Sequence, residues 1–139
     1  MTNSRDHKCV IILKSGLAPG FAANAAAVLA ISVGKKNPEI VAEDLLDASG
    51  IVHAGLVNVP VPVLQASEEN LKTIKDKATV SDGLSIIGFS EPARVARTFE
   101  DYKNLISKTK NEDLQYVGLA LLGNKKIVSQ LTSGLSLLK

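Results

Sequence analysis

The chain contains few of the residues that cross-link a protein, bind metal ions or stack on nucleobases. Its 139 residues include one cysteine, two histidines, three phenylalanines, two tyrosines and no tryptophan. A single cysteine forms no internal disulfide, which is typical of a protein in a reducing compartment. The scattered histidines and cysteine lack the spacing of metal ligands, so we expect no metal and no other cofactor. The few aromatic side chains offer little material for stacking on bases.

The balance of charge and the distribution of apolar residues exclude two further classes. There are 16 basic and 14 acidic residues, a net charge of +2, whereas a dedicated nucleic-acid-binding protein usually has a clear basic excess. No apolar run approaches the roughly 20 residues that cross a bilayer, and no typical cleavage site follows the polar start. We therefore expect one cytoplasmic domain over residues 1–139, with residues 1–7 as a flexible tail and no membrane partner.

A strand, a tight turn and a helix open the chain. Val10–Leu13 is continuously apolar, as in a strand covered on both faces, and Ser15–Gly20 is a turn. A helix is predicted from about Gly20 to Ser32, ended by Gly34. This helix is rich in alanine and has no charged residue, and a helix that is apolar nearly all round is buried or packs against another chain.

Strands and helices alternate in the remainder. Further strands are predicted over Ile40–Leu46, Ile51–His53, Val61–Leu64, Leu84–Phe89 and Leu114–Leu122. Helices are predicted after Ser67, from Ser90 and after Asn124, with Ser67 and Asn124 as N-caps. The alternation predicts the α/β class, specifically a three-layer α/β/α sandwich with a mixed, mostly parallel sheet.

The helix that begins at Ser90 is predicted to be long. Val95, Phe99, Tyr102 and Ile106 fall on one face of a continuous helix. Arg97 and Asp101 are spaced to pair along its outer side.

Both ends of the chain resemble the type 2 peptidyl-tRNA hydrolases, in Lys8–Gly20 and in Tyr116–Leu138. A closer resemblance, over nearly the whole chain, is to an uncharacterised bacterial family, domain of unknown function 2000, at Lys14, Leu17, Asn24, Asp47–Gly50 and Leu119–Leu121. The resemblance to the hydrolases implies their fold, and the resemblance to the second family implies no known activity.

The resemblance also locates the positions of the hydrolase active site, and most of them lack suitable side chains. The family's lysines fall at Phe21 and Ala23, and its glutamine and histidine fall near Ala27 and Ala30, which transfer no proton. Its acidic residue falls near Glu91, which is able to substitute. No histidine or glutamine occurs between residues 8 and 52. The chain is therefore interpreted as the hydrolase scaffold without the hydrolase chemistry.

The residues around the first turn are candidates for binding a ligand. Lys14 ends the first strand, where ligands tend to bind in open α/β sheets. Backbone N–H groups of Gly20 and Phe21 at the start of the helix form an anion site in principle. Asn24 is expected to be buried, and then its amide bonds either a ligand or a neighbouring loop.

A second group of polar residues follows the second predicted strand. Asp47, Ser49 and His53 resemble parts of a catalytic set, but Asp-Ala-Ser-Gly is also an ordinary turn sequence. Cys9 lies inside the apolar strand and is expected to be inert.

Three functional hypotheses remain open at this stage. The first is a protein that binds a small anionic ligand in a cleft between residues 14–24, the Asp47–His53 hairpin and Glu91, with the alanine-rich helix forming a homodimer. The second is a hydrolase of peptidyl-tRNA or another acyl or ester substrate, in which Lys14, His53 and Glu91 converge within hydrogen-bond distance. The third is an RNA-binding module.

Overall fold

A computed structural model of the chain describes residues 6–139. The expected tail at residues 1–7 lies mostly outside this range, and His7 already belongs to the first strand. The elements in chain order are β1 (His7–Lys14), α1 (Pro19–Lys36), β2 (Leu45–Leu46), β3 (Val52–His53), β4 (Val63–Ala66), α2 (Glu68–Thr79), β5 (Ser85–Ser90), α3 (Glu91–Val95), α4 (Phe99–Lys108), β6 (Tyr116–Asn124) and α5 (Lys125–Leu131).

Strands β1 and β6 form the buried centre of a four-stranded sheet of order β4-β1-β6-β5. Strand β1 pairs with β4 in parallel, and β6 runs antiparallel to both β1 and β5. The expectation of an α/β protein with a mixed sheet is confirmed, but the expectation that most pairs are parallel is wrong. Helices α3 and α4 do not carry the chain back across the sheet, so β6 starts beside the end of β5, with Ser90 opposite Tyr116.

Each face of the sheet buries its own apolar cluster, because successive side chains of β1 point to opposite faces. Cys9, Ile11 and Leu13 pack with α1, through Ala22, Ala25, Leu29 and Val33. Val10 and Ile12 pack with residues of α2 and α5. Helices therefore cover both faces, which is why the two central strands are apolar except at their ends.

The C-terminal segment covers one edge of the sheet. The Gln65 N–H donates to the Ser136 carbonyl, and the Leu138 N–H donates to the Val63 carbonyl. These bonds satisfy backbone groups on the outer side of β4, which would otherwise offer a pairing surface to another chain. Within residues 6–139 no strand pairs with the outer side of β5 at the other edge.

Residues 41–57, which we call the arm, leave the sheet between α1 and β4. Val41 bridges Val57 at the base of the arm, and β2 pairs with β3 in a separate two-stranded sheet. The predicted hairpin is confirmed, but the long strand over Ile40–Leu46 is wrong, since Pro38–Ile40 is a 3₁₀ turn and only Leu45–Leu46 forms a ladder. Pro38 favours the turn because its ring fixes φ near the helical value.

Two further expectations about helices need correction. Helix α1 does not end at Gly34, as the sequence predicts, but continues to Lys36.

The helix predicted from Ser90 is divided into α3 and α4. Ala96 adopts an extended conformation, and the Thr98 hydroxyl accepts a hydrogen bond from the Asp101 N–H to begin α4. Val95 and Phe99 are both exposed, and no ion pair joins Arg97 to Asp101 in the described part of the chain.

Gly118 lets α1 approach the centre of the sheet. It lies opposite both Leu13 and Phe89. A Cβ atom at this position would lie 2.8 Å from Leu13 Cδ2 and 3.1 Å from Leu29 Cδ1. Such distances require neighbouring side chains to move, so the absence of a side chain here determines how closely α1 packs on β6.

We expect Gly118→Ala to lower the free energy of unfolding by about 1–3 kcal/mol, because the added methyl group overpacks the core. Gly34→Ala is the matched control, since a Cβ there meets no atom within 4 Å and alanine is favoured over glycine inside a helix by roughly 0.5–1 kcal/mol. Urea unfolding measures both changes. Equal stability of the two variants would contradict the close approach at Gly118.

Candidate functional site

One end of the sheet, which we call the carboxyl edge, collects the ends of β1, β4 and β5 and the start of β6. Leu13 and Phe89 lie on either side of Gly118, so the ends of β1 and β5 are about 10 Å apart at normal strand spacing. Ligands of open α/β sheets bind outside the carboxyl ends of the strands. A ligand site is therefore expected at this edge.

The start of α1 lies at the carboxyl edge and is uncapped. Helix α1 begins at Pro19, has no side-chain cap and has no acidic residue in its first turn. The other four helices each have a side-chain cap or a first-turn acidic residue. Within residues 6–139, the N–H groups of Gly20 and Phe21 donate to no protein acceptor. These two donors lie at the positive end of an 18-residue helix dipole.

Arg94 of α3 lies beside this helix start. Its guanidinium carbon is 5.0 Å from the centre of the Phe21 ring, and Phe21 contacts Phe89 edge to face. The Arg94 Nη1 atom is 3.3 Å from Glu91 Oε2, and about half of the Arg94 side chain is exposed. Arg94 is thus held against the Phe21 ring at the start of α1, and its ion pair with Glu91 is weak because it is exposed.

Lys14 and Glu91, two of the sequence candidates, each form a different ion pair at the carboxyl edge. The Lys14 ammonium lies 3.5 Å from Glu68 Oε2 at the start of α2. The Glu91 carboxylate pairs with Arg94, and the Glu91 N–H donates to the Gln115 carbonyl. The two cations at this edge, Lys14 and Arg94, therefore each have an acidic partner, which an incoming anion would have to displace.

Asn24 is exposed, so the expectation of a buried amide is wrong. Helix α1 buries the face formed by Ala22, Ala25, Leu29 and Val33, and Asn24 lies outside this face. The Asn24 side chain forms no hydrogen bond within the described residues. Within the described residues, no side-chain hydrogen bond explains an asparagine at this position.

Asp47, Ser49 and His53 lie at the tip of the arm. One Asp47 oxygen accepts from the Ser49 and Ile51 N–H groups, at 2.8 and 3.0 Å, and the other lies 2.8 Å from His53 Nε2. The bond with His53 and the two backbone bonds hold the pKa of Asp47 below its usual value of 3.8. These contacts form an ordinary turn closed by an acid–histidine pair.

The three catalytic candidates do not form one hydrogen-bonded set. Lys14 pairs with Glu68, Glu91 pairs with Arg94, and His53 pairs with Asp47. No hydrogen bond or ion pair in residues 6–139 joins any two of the three. The remaining nucleophile, Cys9, is buried, and desolvation raises the pKa of its thiol to about 11, so it stays protonated at neutral pH.

Sequence reasoning missed Arg94. The pattern that could have indicated it is its position three residues after Glu91, on a helix that starts where a strand ends.

Sequence reasoning also missed a depression of about 740 Å³ between α2 and the start of β6. There the Lys72 ammonium donates to the Asn111 and Leu114 carbonyls and lies 5.9 Å from the Tyr116 ring centre. This lysine ties two segments together, and no sequence pattern indicated it.

In the described part of the chain, no three His, Cys, Asp or Glu residues lie together as metal ligands. No helix there is both long enough and apolar enough to span a membrane.

The fold and its carboxyl edge define an α/β protein with a mixed four-stranded sheet. The chain belongs to the family described as protein of unknown function (DUF2000), whose model matches residues 7–139. A solved structure, the protein of unknown function Atu0240 from Agrobacterium tumefaciens strain C58, is similar with a TM-score of 0.86 and 25% identity, covering 96% of this chain and 98% of that one. No curated protein matches the chain.

We expect the tip of the arm to loosen only in strong acid. Because the folded pKa of Asp47 is lowered, its stabilising bonds are complete above pH 3.8 and are lost as the pH falls through the lower, folded value. The amide shifts of Ser49 and Ile51, followed by NMR, should titrate with a midpoint below 3.8. Asp47→Asn should abolish this titration and Asp76→Asn, on α2, should keep it; a midpoint at or above 3.8 would contradict the assignment.

Proposed function

We propose that the protein binds a small anionic ligand at the carboxyl edge, at the start of α1. The anionic group would accept bonds from the Gly20 and Phe21 N–H groups, and Arg94 would supply the charge. The observation that carries the proposal is the position of the Arg94 guanidinium, 5.0 Å from the ring centre of Phe21. A helix start alone is a common feature, whereas an arginine over the side chain of a first-turn residue would add charge-assisted donors to those of the backbone.

The surroundings of Arg94 favour an anion attached to an apolar group. Phe21, Leu17 and Ala93 are partly buried against the apolar cluster at this end of α1. Lys14 is a second cation at the same edge, held by Glu68. The proposed ligand therefore presents a carboxylate or phosphate to Arg94 and an apolar part to Phe21.

The sequence resemblance supports descent from a type 2 peptidyl-tRNA hydrolase scaffold whose chemistry has been lost. Ala23, Ala27 and Ala30 stand at or near former catalytic positions and are exposed on α1. Methyl groups neither move a proton nor stabilise an oxyanion. Helices on both faces of the sheet are compatible with a three-layer arrangement of that kind.

We further propose that the protein acts as a homodimer in the cytoplasm. The outer face of α1 supports this proposal, because it is exposed and uncharged from Gly20 to Gly34. A helix with two apolar faces packs on one side against its own sheet and on the other against a second molecule.

We expect inorganic phosphate to shift the amide resonances of Gly20 and Phe21, and Arg94→Gln to weaken this binding about tenfold, as loss of a charge-assisted bond predicts. Glu91→Gln should strengthen binding, because it removes the carboxylate that competes for Arg94. Lys103→Gln is the matched control, since Lys103 forms a similar exposed pair with Glu100 on α4. Unchanged affinity in Arg94→Gln would overturn the proposal.

We expect no turnover of peptidyl-tRNA by the purified protein. The measurement is release of free tRNA under conditions in which a type 2 hydrolase completes the reaction. Turnover that is lost in Glu91→Gln would instead establish a rearranged hydrolase site.

A further inference from the structure

The arm exposes an unusual concentration of large apolar side chains. Seven of the 14 large apolar residues that are exposed within residues 6–139 lie in it, and Leu46 and Leu56 are 70% and 82% exposed. Isolated apolar residues are normal on a protein surface, but a monomer rarely exposes such residues together. The seven are Val41, Leu45, Leu46, Ile51, Val52, Leu56 and Val57.

Polar bonds within the arm hold these side chains away from the sheet. Asp47 closes the tip, as described above, and the Gly55 N–H donates to Asp44 Oδ1 at 2.9 Å. At the base, the Ala42 N–H donates to the Leu56 carbonyl at 2.8 Å. A two-stranded ribbon without packing is marginally stable in water. The chain therefore maintains an extended apolar ribbon whose large side chains lie outside both core clusters.

The outer face of α1 has the complementary properties. Ala23, Ala27 and Ala30 give a flat helix surface, and Val28 and Ile31 are 42% and 73% exposed on it. Small side chains let a partner backbone approach closely, and the large side chains of the arm would fill the space above them.

The charges beside the two surfaces also match. Glu43 and Asp44 precede the ladder of the arm, and Lys35 and Lys36 end α1. Opposite charges at the rim of an apolar contact favour one orientation and suppress others. These charges favour the arm against the α1 of another molecule.

We propose that the arm of one molecule docks on the outer face of α1 of a second copy, and that the second arm does the same about a two-fold axis. This inference rests on the homodimer proposed above and identifies its surface. The two reciprocal contacts together would have to bury on the order of 1,600 Å² to reach the size of a standard stable interface. An isologous contact of this kind closes at two molecules.

The first experiment measures molar mass by light scattering during size-exclusion chromatography. At about 100 μM the wild type should elute at twice the mass of the 14.7 kDa chain, and Leu46→Asp/Leu56→Asp should weaken dimerisation at least about 100-fold because it places charges in the contact. Val80→Asp is the matched control, because Val80 is 84% exposed outside both surfaces, and it should remain dimeric. Circular dichroism checks that each variant is folded, and Leu46→Ser/Leu56→Ser repeats the test with a milder change.

The second experiment cross-links chains that carry Ile31→Cys with chains that carry Leu56→Cys, using a short bismaleimide. The proposed contact brings Ile31 of one molecule close to Leu56 of the other, so mixed cross-linked dimers are expected. Val80→Cys in place of Leu56→Cys should give none. Cys9 does not interfere, because it is 2% exposed and its thiol pKa is about 11.

The outcomes separate this inference from the other proposals. A dimer that survives Leu46→Asp/Leu56→Asp, or the absence of mixed cross-links, overturns docking by the arm but leaves a homodimer through another surface, such as the unpaired side of β5. A monomeric wild type overturns the homodimer and the arm contact together. The phosphate titration at Gly20 and Phe21 tests the ligand proposal independently of both.

Discussion

The structure depends on the pairing of β1 with β6 at the centre of the sheet. Both strands are covered on both faces, so the apolar residues of the pair contribute either to the cluster under α1 or to the cluster under α2 and α5. Gly118 determines how closely α1 lies on this pair. The position of α1 then fixes the start of that helix at the carboxyl edge, and with it the backbone N–H groups of Gly20 and Phe21.

The same pair explains why the chain has two surfaces with different properties. Around the carboxyl edge, side chains converge from several elements, and cations such as Arg94 and Lys14 are placed by neighbouring strands and helices. At the arm, the chain makes almost all its bonds within one hairpin. A converging site is suited to a small ligand, whereas a self-contained apolar ribbon is suited to another protein surface.

Sequence reasoning recovered the parts of the fold that local patterns determine. The apolar run of β1, the caps at Ser67 and Asn124 and the hairpin after Asp47 follow from side-chain chemistry within a few residues. The antiparallel setting of β6 was not predictable, because it depends on where α3 and α4 lie. Of the candidate residues, Lys14, Gly20, Phe21 and Glu91 lie at the carboxyl edge. The Asp47–His53 pair closes the arm tip instead, because no local pattern records how far a hairpin projects.

The register of the central pair has a kinetic consequence. Leu13 pairs with Gly118, so the middle of the sheet joins residues from opposite ends of the chain. At the usual rate of protein synthesis, roughly 5–20 residues per second, β1 waits on the order of 5–20 seconds for its partner strand. During that interval β4 is the partner strand available to β1, and the other edge of β1 keeps unpaired backbone N–H and C=O groups until β6 emerges.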